Sequence, residues 1–176
     1  MTRSRAIAAI TSMLTAMLLQ ATLVAPLTLP APVSLPALTV AAIALVDGPG
    51  SGMAYGFAAG LVADLASLHP AGVLALCWLA VGLVCGLAAN RGTVRRDAAV
   101  AAVVCAVGAA FATLLLTVLH ADGATASRAA STSIPTLVGD ALLALAVVPI
   151  TRAFLHTGSL RGSRASEPTS LLGAHR

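Results

Sequence analysis

The chain has 176 residues, of which 59% are hydrophobic and 9% are charged, and its mean hydropathy is +0.97. Soluble domains carry about 25% charged residues, so this composition excludes a soluble domain and indicates an integral membrane protein. The net charge of +4 comes from arginine, because there is no lysine, and the arginines stand at the ends of apolar runs. They therefore act as topology signals, and no nucleic-acid partner is expected.

Six apolar runs predict an all-α, polytopic membrane protein with six transmembrane helices, since a helix needs about 20 apolar residues to cross a bilayer. The predicted spans are residues 6–27, 34–46, 51–68, 71–89, 98–119 and 134–154. They form one transmembrane domain, residues 1–155. The Gly-, Ser- and Arg-rich residues 156–176 are predicted to be a disordered cytoplasmic tail.

Proline and glycine mark the connections between the spans. Four prolines between residues 26 and 36 predict an extended first connection, with Pro36 in the first turn of span two. Span two is short, so it is tilted, half-buried in protein or begins earlier. Residues 47–50 and 69–72 predict tight turns, and residues 90–97 and 120–133 predict polar loops.

The arginines give the orientation. With six spans, nine of the ten arginines lie on one side of the membrane and only Arg128 lies on the other. Positive loops stay in the cytoplasm, so both termini are predicted to be cytoplasmic, in an inner (cytoplasmic) membrane. Arg91, Arg95 and Arg96, between spans four and five, are predicted to be topology determinants. Contact of this loop with anionic lipid or a cytoplasmic partner is a secondary interpretation.

A row of small residues organises span three. Gly52, Gly56, Gly60 and Asp64 follow one another at intervals of four, so they lie on one face of a helix. Glycines in such a row open a groove that another helix can approach closely. Two interpretations stay open: packing against another span of this chain, or binding of a partner's helix.

Polar residues inside apolar runs are candidate functional groups. Asp64 and Asp140 are each predicted to lie roughly 6–9 Å below the outer boundary, at 1.5 Å of rise per residue. They form either a shared site for an ion, a proton or a cationic group, or two separately satisfied acids. Gln20, near the outer end of span one, is a candidate for an interhelical hydrogen bond.

Other chemistry is not expected. Cys77, Cys85 and Cys105 lie in apolar runs without paired metal-ligand spacing, and the four histidines are scattered outside those runs. We therefore predict neither metal nor cofactor. There is no phosphate-binding loop, no nucleophile elbow and no soluble domain to house a catalytic cleft, so an enzyme is not expected.

The segment Gly56–Leu65, Gly-Phe-Ala-Ala-Gly-Leu-Val-Ala-Asp-Leu, resembles the signature of the rod shape-determining protein MreD family. The run 71–76, Ala-Gly-Val-Leu-Ala-Leu, stands where that family has a Gly-x-x-Ala-Leu segment. Residues 18–23 resemble its first-span ending, and Pro149 before 150–152 is similar to its last-span ending.

The resemblance implies a non-enzymatic subunit of the cell-elongation machinery that helps to position lateral peptidoglycan synthesis and maintain cell shape. It implies binding to MreC, a bitopic protein, and through it a link to MreB, RodA and a class B penicillin-binding protein. No catalytic residues carry over. Gly56, Gly60 and Asp64 are the residues expected to support the partner contact.

Two alternatives come from other functional classes. Small, six-spanning, Ala- and Gly-rich chains also occur as substrate-binding subunits of ECF-type vitamin importers, and Ala8, Ser12 and Ala16 resemble the row with which those proteins dock their energy-coupling subunit. Few aromatic residues are present to line a ligand pocket. A proton-coupled carrier built around Asp64 and Asp140 is the third hypothesis.

Overall fold

The computed structural model describes residues 3–24, 26, 33–66, 72–89, 93–118 and 138–155. These residues form six helices: α1 (Arg3–Val24), α2 (Leu35–Asp47), α3 (Pro49–Leu65), α4 (Val73–Leu87), α5 (Val94–Val118) and α6 (Val138–Leu155). The last five residues of α1, Gln20–Val24, form a π-helical turn. The predicted loop at 120–133, the tail at 156–176 and Arg91 lie outside the described residues.

Length and hydropathy sort five of the six described helices into two groups, and α3, with 17 residues, belongs to neither. Three of them, α1, α5 and α6, are long and apolar enough to cross a membrane, whereas α2 and α4 are shorter apolar helices. The predicted all-helical membrane class is therefore confirmed. The count of six spans and the side on which the termini lie stay predictions.

The short helix α2 lies at the centre of the bundle. It contacts α1, α3, α4 and α5, and ten consecutive residues, 36–45, are buried. A helix that is apolar all round belongs in an interior, and its four alanines allow neighbouring helices to pack closely. Because α2 has 13 residues, it is about 20 Å long and is shorter than the roughly 30 Å hydrocarbon core.

The long helices turn their large apolar side chains outward. The exposed residues recur every three or four positions, as they do along one helical face. On α1 they are Ile7, Ile10, Leu14 and Leu18, and on α5 they are Val103, Val107, Phe111 and Leu114. The interior is built mainly of alanine, with Cys85 and Cys105 packed among it. This distribution suits a surface that faces lipid.

Two helices begin earlier than the sequence predicts. The predicted turn at 47–50 contracts to Gly48, whose φ of +87° favours glycine, and Pro49 opens α3 because the first helical position needs no N–H donor. Helix α5 begins at Val94, with Asp97 in its first turn, where a carboxylate interacts favourably with the helix dipole. The end of the predicted polar loop 90–97 is therefore helical.

Candidate functional site

The glycine row of α3 packs against the backbone of α4. A Cβ atom at Gly60 would lie 2.5 Å from the Ala75 Cα, closer than real Cβ contacts allow. At Gly56 it would overlap the carbonyl group of Trp78, and at Gly52 that of Gly82. Any side chain at these three positions would therefore force the two helices apart.

Helix α4 meets this row with glycines of its own. A Cβ atom at Gly82 would overlap the backbone of Gly52, and one at Gly86 would overlap Pro49 at the start of α3. The contact partners run in opposite order along the two helices, so α3 and α4 are antiparallel. They form the most extensive helix pair among the described elements.

Asp64 closes the row at the start of α4. Its side chain is 2% exposed and accepts three backbone hydrogen bonds. Oδ2 accepts from the N–H groups of Gly72 at 2.8 Å and Ala75 at 3.0 Å, and Oδ1 accepts from the N–H of Leu74 at 3.1 Å. Asp64 thus caps α4 from the end of the preceding helix.

The local sequence explains why α4 needs this carboxylate. The first N–H groups of a helix have no partner within the helix. The residue at the N-cap of α4 is Gly72, which has no side chain to accept a hydrogen bond. A carboxylate placed there satisfies these donors and interacts favourably with the positive end of the helix dipole.

Gln20 likewise forms hydrogen bonds with backbone groups at the start of a helix, in this case α2. Its Oε1 accepts from the Leu35 N–H at 3.0 Å, and its Nε2 donates to the Val33 carbonyl at 3.0 Å. The Ser34 hydroxyl accepts from the Ala37 N–H at 3.4 Å, as an N-cap residue does. One side chain of α1 therefore satisfies two backbone groups beside the first turn of the central helix.

Asp140 reaches the same segment from α6. Its side chain is 2% exposed, and the Ser34 backbone N–H donates a hydrogen bond to its carboxylate. Its Oδ1 has no hydrogen-bond partner among the described residues. Asp140 and Gln20 therefore both bond to the backbone of residues 33–35, whereas Asp64 and Asp140 serve the starts of two different helices.

Ion pairs hold the opposite end of the bundle. Arg5 Nη2 lies 2.7 Å from Asp47 Oδ1 and ties α1 to the end of α2. Arg152 pairs with Asp97 and ties α6 to the start of α5. Both aspartate side chains are only 4% exposed. Asp47, Asp64, Asp97 and Asp140 thus each take part in a contact between two helices.

Sequence reasoning missed these ion pairs. It treated Arg5 and Arg152 as topology signals and placed Asp47 and Asp97 in connections. A signal was present, because the predicted topology places both aspartates on the arginine-rich side of the membrane. The other predicted topology residues of the described chain, Arg95 and Arg96, are exposed in the first turn of α5.

A groove of about 270 Å³ lies between α1 and α6, over α2. Its hydroxyl groups belong to Thr11, Ser12, Thr15, Thr39 and Thr151. The first four donate to carbonyl groups of their own helices, so those donors are already used. In the row 8–12–16, Ala8 and Ala16 are buried, so the row is largely an internal packing surface.

Comparison with known proteins gives one match. A family model described as rod shape-determining protein MreD matches residues 4–157, a range that holds the glycine row and the four aspartates described above. No curated protein and no solved structure matches the chain.

Proposed function

Because this chain belongs to the rod shape-determining protein MreD family, we propose that it is a non-enzymatic subunit that binds an MreC-like bitopic protein. It is a membrane protein that acts in rod shape determination. Through that partner it is linked to MreB, to RodA and to a class B penicillin-binding protein. Its part is to help position lateral peptidoglycan synthesis and so maintain cell shape.

The use made of the buried acids supports a structural role over a catalytic one. Both carboxylate oxygens of Asp64 accept hydrogen bonds from backbone N–H groups at the start of α4. Asp47 and Asp97 are paired with arginines. Groups engaged in this way hold helices together and are poorly placed to act on a substrate. The family match is the observation that carries the proposal.

The glycine row and Asp64 act in partner binding by fixing the α3–α4 pair. The glycines bring the two backbones into contact, and the carboxylate holds the start of α4. On another face of α3, Phe57, Leu61 and Leu65 recur every four residues and are exposed. The partner's transmembrane helix does not enter the glycine row. It contacts a surface whose shape the row keeps constant by fixing the α3–α4 pair.

The proposed topology has six spans with both termini in the cytoplasm. The ion pairs support it, because Arg5, Asp47, Asp97 and Arg152 lie at the arginine-rich end of the bundle. At the other end, the starts of α2 and α4 are capped by Asp140 and Asp64. Fusing a reporter that is active on only one side of the membrane to each connection would test this orientation.

Purification of a tagged chain in mild detergent, with mass spectrometry of the co-purified proteins, tests the function. A bitopic MreC-like protein is expected to co-purify with the wild type and with Gly50→Ala, but less with Gly56→Ala. A methyl group at Gly50 would have no neighbouring atom within 4 Å, so Gly50→Ala is a matched control. Recovery of paired ATPases and a small-molecule ligand would instead support the importer hypothesis.

A further inference from the structure

The two buried carboxylates near the starts of α2 and α4 have unequal surroundings. Asp64 accepts three backbone hydrogen bonds, which use both of its carboxylate oxygens. Asp140 accepts one, from the Ser34 N–H, and its Oδ1 is buried with no partner among the described residues. Both side chains are 2% exposed. Among the described residues, both oxygens of the Asp64 carboxyl group thus have hydrogen-bond partners, whereas only one oxygen of the Asp140 carboxyl group has one.

Nothing charged compensates Asp140 in the described part of the chain. Arg5 and Arg152 are paired with Asp47 and Asp97 at the opposite end of the bundle. Arg3, Arg95 and Arg96 are exposed at that end. Among the described residues, the groups that face Asp140 are the Ser34 backbone at the start of α2 and the Cys105 thiol from α5.

We propose that Asp140 is a proton-binding site, and that the folded protein holds its carboxyl group in the protonated, neutral form. An ionised carboxylate inside a membrane protein requires several partners, and among the described residues only the Ser34 N–H donates to Asp140. A proton removes the charge and turns Oδ1 from an unpaired acceptor into a hydroxyl group. The oxygen that faces Ser34 continues to accept the backbone hydrogen bond.

The proton has a structural consequence for α6. This helix packs through Ala144 and Val148 into the same buried cluster as α2. Release of the proton would place an unpaired charge at the contact between α6 and the start of α2. The α6–α2 contact therefore depends on proton occupancy at Asp140.

Infrared spectroscopy of the purified full-length protein in lipid nanodiscs tests this assignment at neutral pH. A protonated carboxyl group has a carbonyl stretching band that an ionised carboxylate lacks. The wild type is expected to show such a band, and ¹³C-labelled aspartate is expected to shift it. The band should disappear in Asp140→Asn and persist in Asp64→Asn.

Two results would overturn the proposal. One is the absence of a protonated-aspartate band in the wild type. If the stability of that wild-type protein also depended on sodium, the result would indicate a bound cation in place of the proton. The other is a band that survives in Asp140→Asn. The isotope shift is measured on the wild type, so this part of the test does not depend on whether either variant folds.

Discussion

The Asp64 carboxylate and the Gly72 backbone amide hydrogen-bond at 2.8 Å, and they join the end of α3 to the start of α4. At the far end of the same pair, Gly86 lies against Pro49 so closely that no Cβ atom would fit. The two helices are therefore held at both ends, by a polar contact at one and by backbone contact at the other.

Replacing Asp64 should open the first of these ends. Asp64→Leu leaves three N–H groups, one buried and two partly buried, without this acceptor and is expected to lower the free energy of unfolding by about 3–5 kcal/mol. Asp64→Asn keeps one acceptor oxygen and should lose about 1–2 kcal/mol. Unfolding by SDS in mixed micelles, followed by circular dichroism, measures both. Leu65→Ala, at a side chain that is 74% exposed, is the control.

Adding a methyl group to the glycine row should separate α3 from α4. Gly56→Ala is expected to lower the free energy of unfolding by about 1–3 kcal/mol, as overpacking does. Gly50→Ala lies on the same helix in open space, where alanine favours the helix by about 0.5–1 kcal/mol. Equal effects of the two substitutions in the same unfolding assay would contradict the packing described here.

Gln20 should matter more than its position near the end of α1 suggests. Gln20→Leu leaves the Leu35 N–H without its acceptor and is expected to cost about 1–3 kcal/mol. Thr22→Val, also in the π-helical turn but at an exposed position, should change stability by less than about 0.5 kcal/mol. Hydrogen exchange at the start of α2 should become faster only in the Gln20 variant.

Breaking the α5–α6 ion pair should leave Asp97 buried and unpaired. Arg152→Gln is expected to cost about 1–3 kcal/mol, less than the roughly 3–5 kcal/mol of a fully buried pair, because the Arg152 side chain is 20% exposed. Adding Asp97→Asn should restore part of the loss. Arg95→Gln, at an exposed arginine, serves as the control. A double variant as unstable as the sum of the two single variants would show that the pair is not coupled.

Part of this site was accessible from sequence. The four-residue spacing of Gly52, Gly56, Gly60 and Asp64 places them on one face, because helical periodicity is a local property. It does not identify the neighbouring helix, which depends on contacts between distant parts of the chain. The missing N-cap side chain at Gly72 is a hint that α4 must be capped from elsewhere.

The ends of the helices were harder to predict. Composition alone places residues 94–97, Val-Arg-Arg-Asp, in a loop, yet they form the first turn of α5. The Asp97–Arg152 pair, which helps to hold that turn, joins residues 55 positions apart. The role of Asp140 was inaccessible for the same reason, since its partner Ser34 lies at the start of a different helix.

The two polar side chains that bond to the backbone at the start of α2 are synthesised at different times, one early and one late in translation. Gln20 leaves the ribosome before α2, whereas Asp140 belongs to the last helix that the structure describes. During translation, the start of α2 therefore has Gln20 as a polar partner but lacks Asp140 until α6 enters the membrane. Assembly of this domain therefore has a defined final step, because a nascent chain stopped before α6 lacks the carboxyl group that meets Ser34 at the start of α2.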